Sequence, residues 1–198
     1  DGRAHFVYLH NLQAAPDRLP RALLRIVVNL LTSGRAGRFR GTPLAELVRL
    51  GLVGTVDGAT KWPSWEALHR AYNQRLDRLG AADLPGSALL DREVFEVLFR
   101  FYQSVHETAR GREDGETAAL AVRWLSGDGP TTADAQQIKQ VLVALSRLSA
   151  AAGRPFVLAF DQVDNLDDEQ FAALGRFLEA LIDAAPNLLA VTAGIQSL

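Results

Sequence analysis

The group with the clearest chemical potential in this chain is the carboxylate of Asp161, where the apolar run Phe156-Val-Leu-Ala-Phe160 gives way to Asp161-Gln-Val-Asp164. An uninterrupted apolar run of this length reads as a strand buried on both faces, as in a parallel sheet covered by helices. An acid where such a strand emerges lies at the carboxyl edge of the sheet, where open α/β folds bind ligands. A carboxylate there is placed to hold a magnesium ion, directly or through water. The competing reading is structural: Asp161 begins a turn or caps the next helix.

The elements that must position this group are legible in the flanking pattern. Phe6-Val-Tyr-Leu9 reads as a first strand. Pro16 to Ser33 has a helical pattern with Leu23, Leu24, Val27, Leu30 and Leu31 on one face, entered through Pro16 and Pro20 and ended by Gly34. Thr132 to Ala152 is a long helix with the stripe Ile138, Val141, Leu142, Leu145 and Leu148. After the Phe156 strand, Asp167 or Asn165 can cap a helix carrying Phe171, Leu174, Leu178 and Leu181. Pro186 closes it, and Leu188-Leu-Ala-Val-Thr192 makes a third strand.

From Gly34 to about Pro130 the pattern changes to separate helical stretches, with no convincing strand before Phe156. Pro43 to Leu52 reads as a short helix, and Ser64 is an N-cap for the helix that follows Trp62-Pro-Ser-Trp65. Asp91 to Arg110 is apolar nearly all round, so it should be covered on several sides. Gly115 to Leu125 is a further short helix. The fold class expected is therefore α/β: a parallel sheet of about three strands with flanking helices, interrupted by a large helical insertion. Residues 1–34 supply the first strand and helix of the core, 35–130 the insertion, and 131–198 the remainder of the core. The alternation of helix and strand near the end predicts right-handed crossovers and helices on both faces of the sheet.

Composition narrows the classes of function. At 198 residues, 48% apolar and 22% charged, the chain can bury a sizeable core and is not globally disordered. A net charge of −2 gives no basic field to attract nucleic acid, leaving such a partner unsupported. The absence of cysteine excludes disulfides and thiolate metal sites. No apolar stretch approaches the ~20 residues that span a bilayer, and no secretion signal opens the chain. The expectation is a soluble, cytoplasmic protein that does not enter a membrane.

In this order the segments resemble a P-loop ATPase of the AAA+ and STAND type, as in ATP-binding proteins of bacterial defence and regulatory systems. The resemblance rests on His5-Phe-Val-Tyr-Leu-His10, Arg123-Trp-Leu-Ser-Gly127 before a long helix, Phe156 to Asn165 as a Walker B segment, and Leu188-Leu-Ala-Val-Thr-Ala-Gly194 as a sensor strand. It implies ATP and Mg2+ as cofactors, with Asp161 orienting the metal against the phosphates. Gln162 stands where many relatives carry a glutamate that polarises the attacking water. An amide orients water but cannot take its proton, so either hydrolysis is slow, or Asp164 supplies the carboxylate, or nucleotide acts as a switch. Thr192 stands at the position of a polar sensor for the γ-phosphate, with a plain strand threonine the alternative.

One departure bears on activity. No Gly-x-x-x-x-Gly-Lys-Ser/Thr occurs in the sequence, and neither Lys61 nor Lys139 follows a glycine-rich turn. A phosphate cradle needs backbone N–H groups at a helix N-terminus and a lysine charge. The resemblance implies that the strand, loop and helix carrying it lie upstream of Asp1, so that these residues alone should not hydrolyse ATP.

Other groups have weaker claims. Arg35, Arg38 and Arg40 form an arginine loop that could meet DNA phosphates or a neighbour's nucleotide, though such runs are usually solvated. Trp62, Trp65 and Trp124 are expected to pack rather than stack on bases. Gln196 is a weak sensor candidate. None of the histidines has metal-ligand spacing, and His10 stands out only as a polar group at the carboxyl edge. Three functions follow: an ATPase core coupling nucleotide state to movement of the insertion, a nucleotide-gated assembly switch with negligible hydrolysis, or an interaction domain that keeps the fold without nucleotide. A protein partner or homo-oligomer is compatible with each.

Overall fold

The computed structural model describes residues 4–10, 12, 14–34, 39–53, 64, 66–67, 70–71, 74, 88–109, 115–129, 133–185 and 187–194. Arg35, Arg38, Trp62, Trp65, His69, Thr132, Pro186 and Gln196 lie outside them. Three strands, β1 (His5–His10), β2 (Phe156–Asp161) and β3 (Leu188–Thr192), form one parallel sheet in the order β1-β2-β3. The register aligns His5 with Phe156 and His10 with Asp161, then Phe156 with Leu188 and Phe160 with Thr192. Six α-helices accompany them among the described residues: α1 (Leu19–Thr32), α2 (Pro43–Val48), α3 (Ala88–Ala109), α4 (Glu116–Leu125), α5 (Ala135–Ala151) and α6 (Asp168–Ala184). The expected α/β architecture is present at this level, and most of the chain is helical.

Local signals explain where the helices begin. Thr42 accepts the Ala45 amide at 3.3 Å to cap α2, and Asp134 accepts the Gln137 amide at 2.7 Å to cap α5. Of the two caps expected for α6, Asp167 is used. Its carboxylate accepts the Gln170 amide at 2.8 Å while the Gln170 side chain accepts the Asp167 amide at 3.0 Å, a reciprocal capping box. Ser64 accepts the Ala67 amide at 3.3 Å, as its sequence position implied. The helix expected over Pro43 to Leu52 is α-helical only to Val48 and widens into a π turn over Arg49–Val53. That turn lies against α5, and a Cβ on Gly51 would overlap the carbonyl oxygen of Leu148.

One core serves the whole structure. Helices α1, α5 and α6 lie against β1, β2 and β3, burying Val7, Leu9, Phe156, Leu158 and Phe160. Helix α3 packs against α2, α4 and α5, placing Phe95, Leu98 and Phe101 in that same cluster. The helical segment after α1 is thus fused to the sheet's helix layer rather than held apart. Each fully buried Leu or Phe of this kind contributes about 1.5–3 kcal/mol of hydrophobic stabilisation.

Two expectations need correction. In α1 the inward positions are Leu19, Leu23, Leu24, Val27, Val28 and Leu31, whereas Leu30 is 40% exposed. The stripe is rotated because Val28 meets the core where Leu30 would have to reach around the helix. Nor are both faces of the sheet covered by the described helices. Phe6, Tyr8, Leu189 and Val191 are 61%, 51%, 54% and 45% exposed, all on the outer face. Strand alternation fixes that face: odd residues of β1 point to the helices and even ones away. Val157 is still buried, between Phe6 and Leu189 in the ladder.

Candidate functional site

Asp161 is the last residue of the central strand, with a neighbouring strand end on either side. Strand alternation gives it the outer face, together with Tyr8 and His10 of β1. Asp161 faces His10 across the ladder and Tyr8 diagonally, since Tyr8 aligns with Ala159. The Tyr8 hydroxyl donates to Asp161 Oδ2, and His10 Nδ1 lies 3.3 Å from the same oxygen. The two rings are stacked at 13° with centroids 6.4 Å apart, so β1 offers Asp161 a paired polar edge. The other carboxylate oxygen, Oδ1, accepts the backbone amide of Gln162 at 2.9 Å.

These contacts set the charge of the site. The Tyr8 hydroxyl, with smaller help from His10 and the Gln162 amide, holds the Asp161 carboxyl below the ordinary aspartate range. In return the carboxylate raises the Tyr8 phenol above its usual value. Asp161 is therefore anionic at neutral pH while about a third of its side chain meets solvent, at 32% exposure.

Gln162 turns the chain sharply away from the strand. At φ 58° it is left-handed, the single non-glycine with positive φ among the described residues. Such backbone costs about 1–2 kcal/mol for a residue with a Cβ. Its side-chain oxygen accepts the Asn165 amide at 3.1 Å, which explains Asn165 as a turn residue rather than a cap. Asp164 is exposed on the following 3-10 turn, with Oδ1 3.1 Å from where a Cβ on Gly194 would stand. Ala193 donates to the Phe160 carbonyl at 2.7 Å and accepts the Val163 amide at 3.3 Å, so the segment after β3 is stitched to the turn after β2.

Thr192 lies at the same edge, aligned with Phe160 rather than with Asp161. Alternation gives it the face of Leu188 and Ala190, opposite to Asp161. Asp161, Gln162 and Asp164 are thus neighbours along one turn, and Thr192 shares their sheet edge but not their face. Arg40 is exposed on a turn before α2, and Trp124 packs partly against the core, as expected for it.

The donor set suits a magnesium ion held through water. A carboxylate has about four lone-pair sites; the Tyr8 hydroxyl and the Gln162 amide donate to two of them, His10 Nδ1 lies beside Oδ2, and room for water remains. Among the described residues no three metal-ligating side chains converge. Magnesium commonly keeps its waters and uses one or two carboxylates plus substrate phosphates, so a lone acid is compatible with it. Among the described residues no helix is long and apolar enough to cross a membrane.

The contribution of Tyr8 escaped the sequence reading. Its signal was the spacing of Tyr8 and His10, two apart on a strand and therefore on one face. No family model matches the chain, and neither a curated protein nor a solved structure matches it.

Proposed function

We propose that this chain forms the metal-facing edge of a nucleotide-binding α/β core, in which Asp161 orients, through water, a magnesium ion bound to a nucleoside triphosphate. The observation that carries the reading is an ionised carboxylate at the carboxyl end of the central strand of a parallel sheet, steadied by Tyr8 and His10. The ion, when bound, neutralises charge on the phosphates. Asp161 fixes its position, and Tyr8 and His10 keep the carboxylate from rotating. The glycine-rich cradle and lysine that such phosphates require are not among these 198 residues, so the reading concerns this edge alone.

Two chemistries are compatible with the turn. In a hydrolase, Asp164 takes the proton from water, since the Gln162 amide cannot. In a nucleotide-gated switch, Gln162 orients water without activating it and turnover is negligible. The neutral Gln162 next to the metal-orienting acid favours the switch or slow hydrolysis. Gln162→Glu separates them: turnover rises in a switch and changes little in an enzyme relying on Asp164.

The test of the shared premise is Asp161→Asn, measured on the protein as its gene encodes it. Magnesium-dependent nucleotide binding and any turnover should be lost, while metal-free nucleotide binding is retained. Unaltered magnesium dependence would leave the third reading, an interaction domain that uses the fold without nucleotide.

A further inference from the structure

Helices α3 and α4 enclose an open cleft of about 430 Å3, remote in sequence from Asp161. Its apolar part is made by Val97 of α3 with Leu120 and Trp124 of α4. Arg100 of α3 and Arg123 of α4 also line it, together with Thr117. Both arginines are exposed, and neither has an ion pair among the described residues.

Among the described residues the cleft holds one acid, Asp128, and it is already engaged. Arg25 donates to both of its oxygens at 2.7 and 2.8 Å, and Arg21 adds a bond at 2.9 Å. Among the described residues, two guanidiniums in the cleft are thereby left without a counter-charge, beside an indole and a leucine that is 54% exposed. Guanidinium forks match carboxylate and phosphate oxygens, and an indole edge suits a flat apolar body. The volume lies within the range of small-molecule sites.

We propose that the α3–α4 cleft binds a small amphipathic organic anion, with a carboxylate or phosphate held between Arg100 and Arg123 and an aromatic or acyl body against Trp124, Leu120 and Val97. The site is independent of Asp161 and needs no metal.

The probe is 1-naphthyl phosphate, titrated calorimetrically without divalent cations, alongside 1-naphthol and inorganic phosphate. Saturable binding is expected, with each half-ligand at least about tenfold weaker because it makes only part of the contact. Arg100→Gln with Arg123→Gln should weaken the probe at least about tenfold, and each single variant should fall between. Arg176→Gln, on an exposed face of α6, and Asp161→Asn should bind like the parent chain. Because both cleft arginines are exposed and have no ion pair among the described residues, the double variant should melt like the parent. Absence of saturable binding, equal affinity in the double variant, or loss of binding in Asp161→Asn would overturn the assignment.

Discussion

Tyr8 and Asp161, 153 positions apart, are joined side chain to side chain on the outer face of the sheet. The contact is diagonal across a parallel pair, possible because Tyr8 reaches over the ladder position between Ala159 and Asp161. The carboxylate at the sheet's carboxyl edge is thus preset in charge and orientation by a strand that contributes no acid of its own.

Removing the hydroxyl should be visible in the titration of Asp161. Its folded value lies below the ordinary 3.8, so its contribution to stability is present above that value and is lost as pH falls through the depressed one. In Tyr8→Phe the Asp161 carboxyl should titrate at higher pH, followed by 13C NMR of the carboxyl carbon. The acid limb of the stability curve should move up with it. An unchanged midpoint would mean that the hydroxyl does not hold the carboxylate.

Gln162 makes a second prediction through its backbone. Glycine relieves the left-handed strain but loses more freedom on folding, so Gln162→Gly should lie within about 1 kcal/mol of the parent chain. Gln162→Val, β-branched at the same φ, should be less stable by about 2 kcal/mol. Urea denaturation that ranked valine above glycine would contradict the observed turn.

Gly51 tests the junction between the π turn and α5. An added methyl meets backbone rather than a movable side chain, so Gly51→Ala should lose about 2 kcal/mol, or ~4–8 °C in Tm. A melt unchanged within 1 °C would show that the two elements do not approach this closely.

Alkaline pH probes α3. Burial pushes the Tyr102 phenol up to about 12 from 10, the neighbouring Arg49 opposing that rise. A raised value stabilises the fold below pH 10 and is withdrawn as pH climbs toward 12. Absorbance near 295 nm should show one phenol resisting ionisation until about pH 12 or until unfolding. Tyr102→Phe should remove that late phase.

Much of the fold could be read from apolar periodicity and punctuation. The third strand and the box-capped α6 follow from Leu188 to Thr192 and from Asp167 with Gln170, because strand alternation and capping are local. Of the site, Asp161 with its turn neighbours Gln162 and Asp164 was legible, and His10 only as a polar group at the carboxyl edge. Its partners Tyr8 and His10 depend on the pairing register of strands separated by most of the chain, which no local pattern encodes. Likewise Thr192 reads as a neighbour of Asp161 in chain order, and only the ladder reveals that they face opposite ways. Arg100 and Arg123 belong to separate helices, so their convergence on one cleft required tertiary packing. That no described helix covers the outer face could not be read from Phe6 and Tyr8, which by themselves look like ordinary strand residues.

The central claim is that Asp161 orients a nucleotide-bound divalent ion at the strand edge. Manganese with ATP, added to isotopically labelled protein as its gene encodes it, tests it through paramagnetic broadening of backbone amides. Selective broadening of Gln162, Val163 and Gly194, abolished by Asp161→Asn, is the expected result. Broadening centred elsewhere, or equally strong at these amides in the variant, would contradict the account.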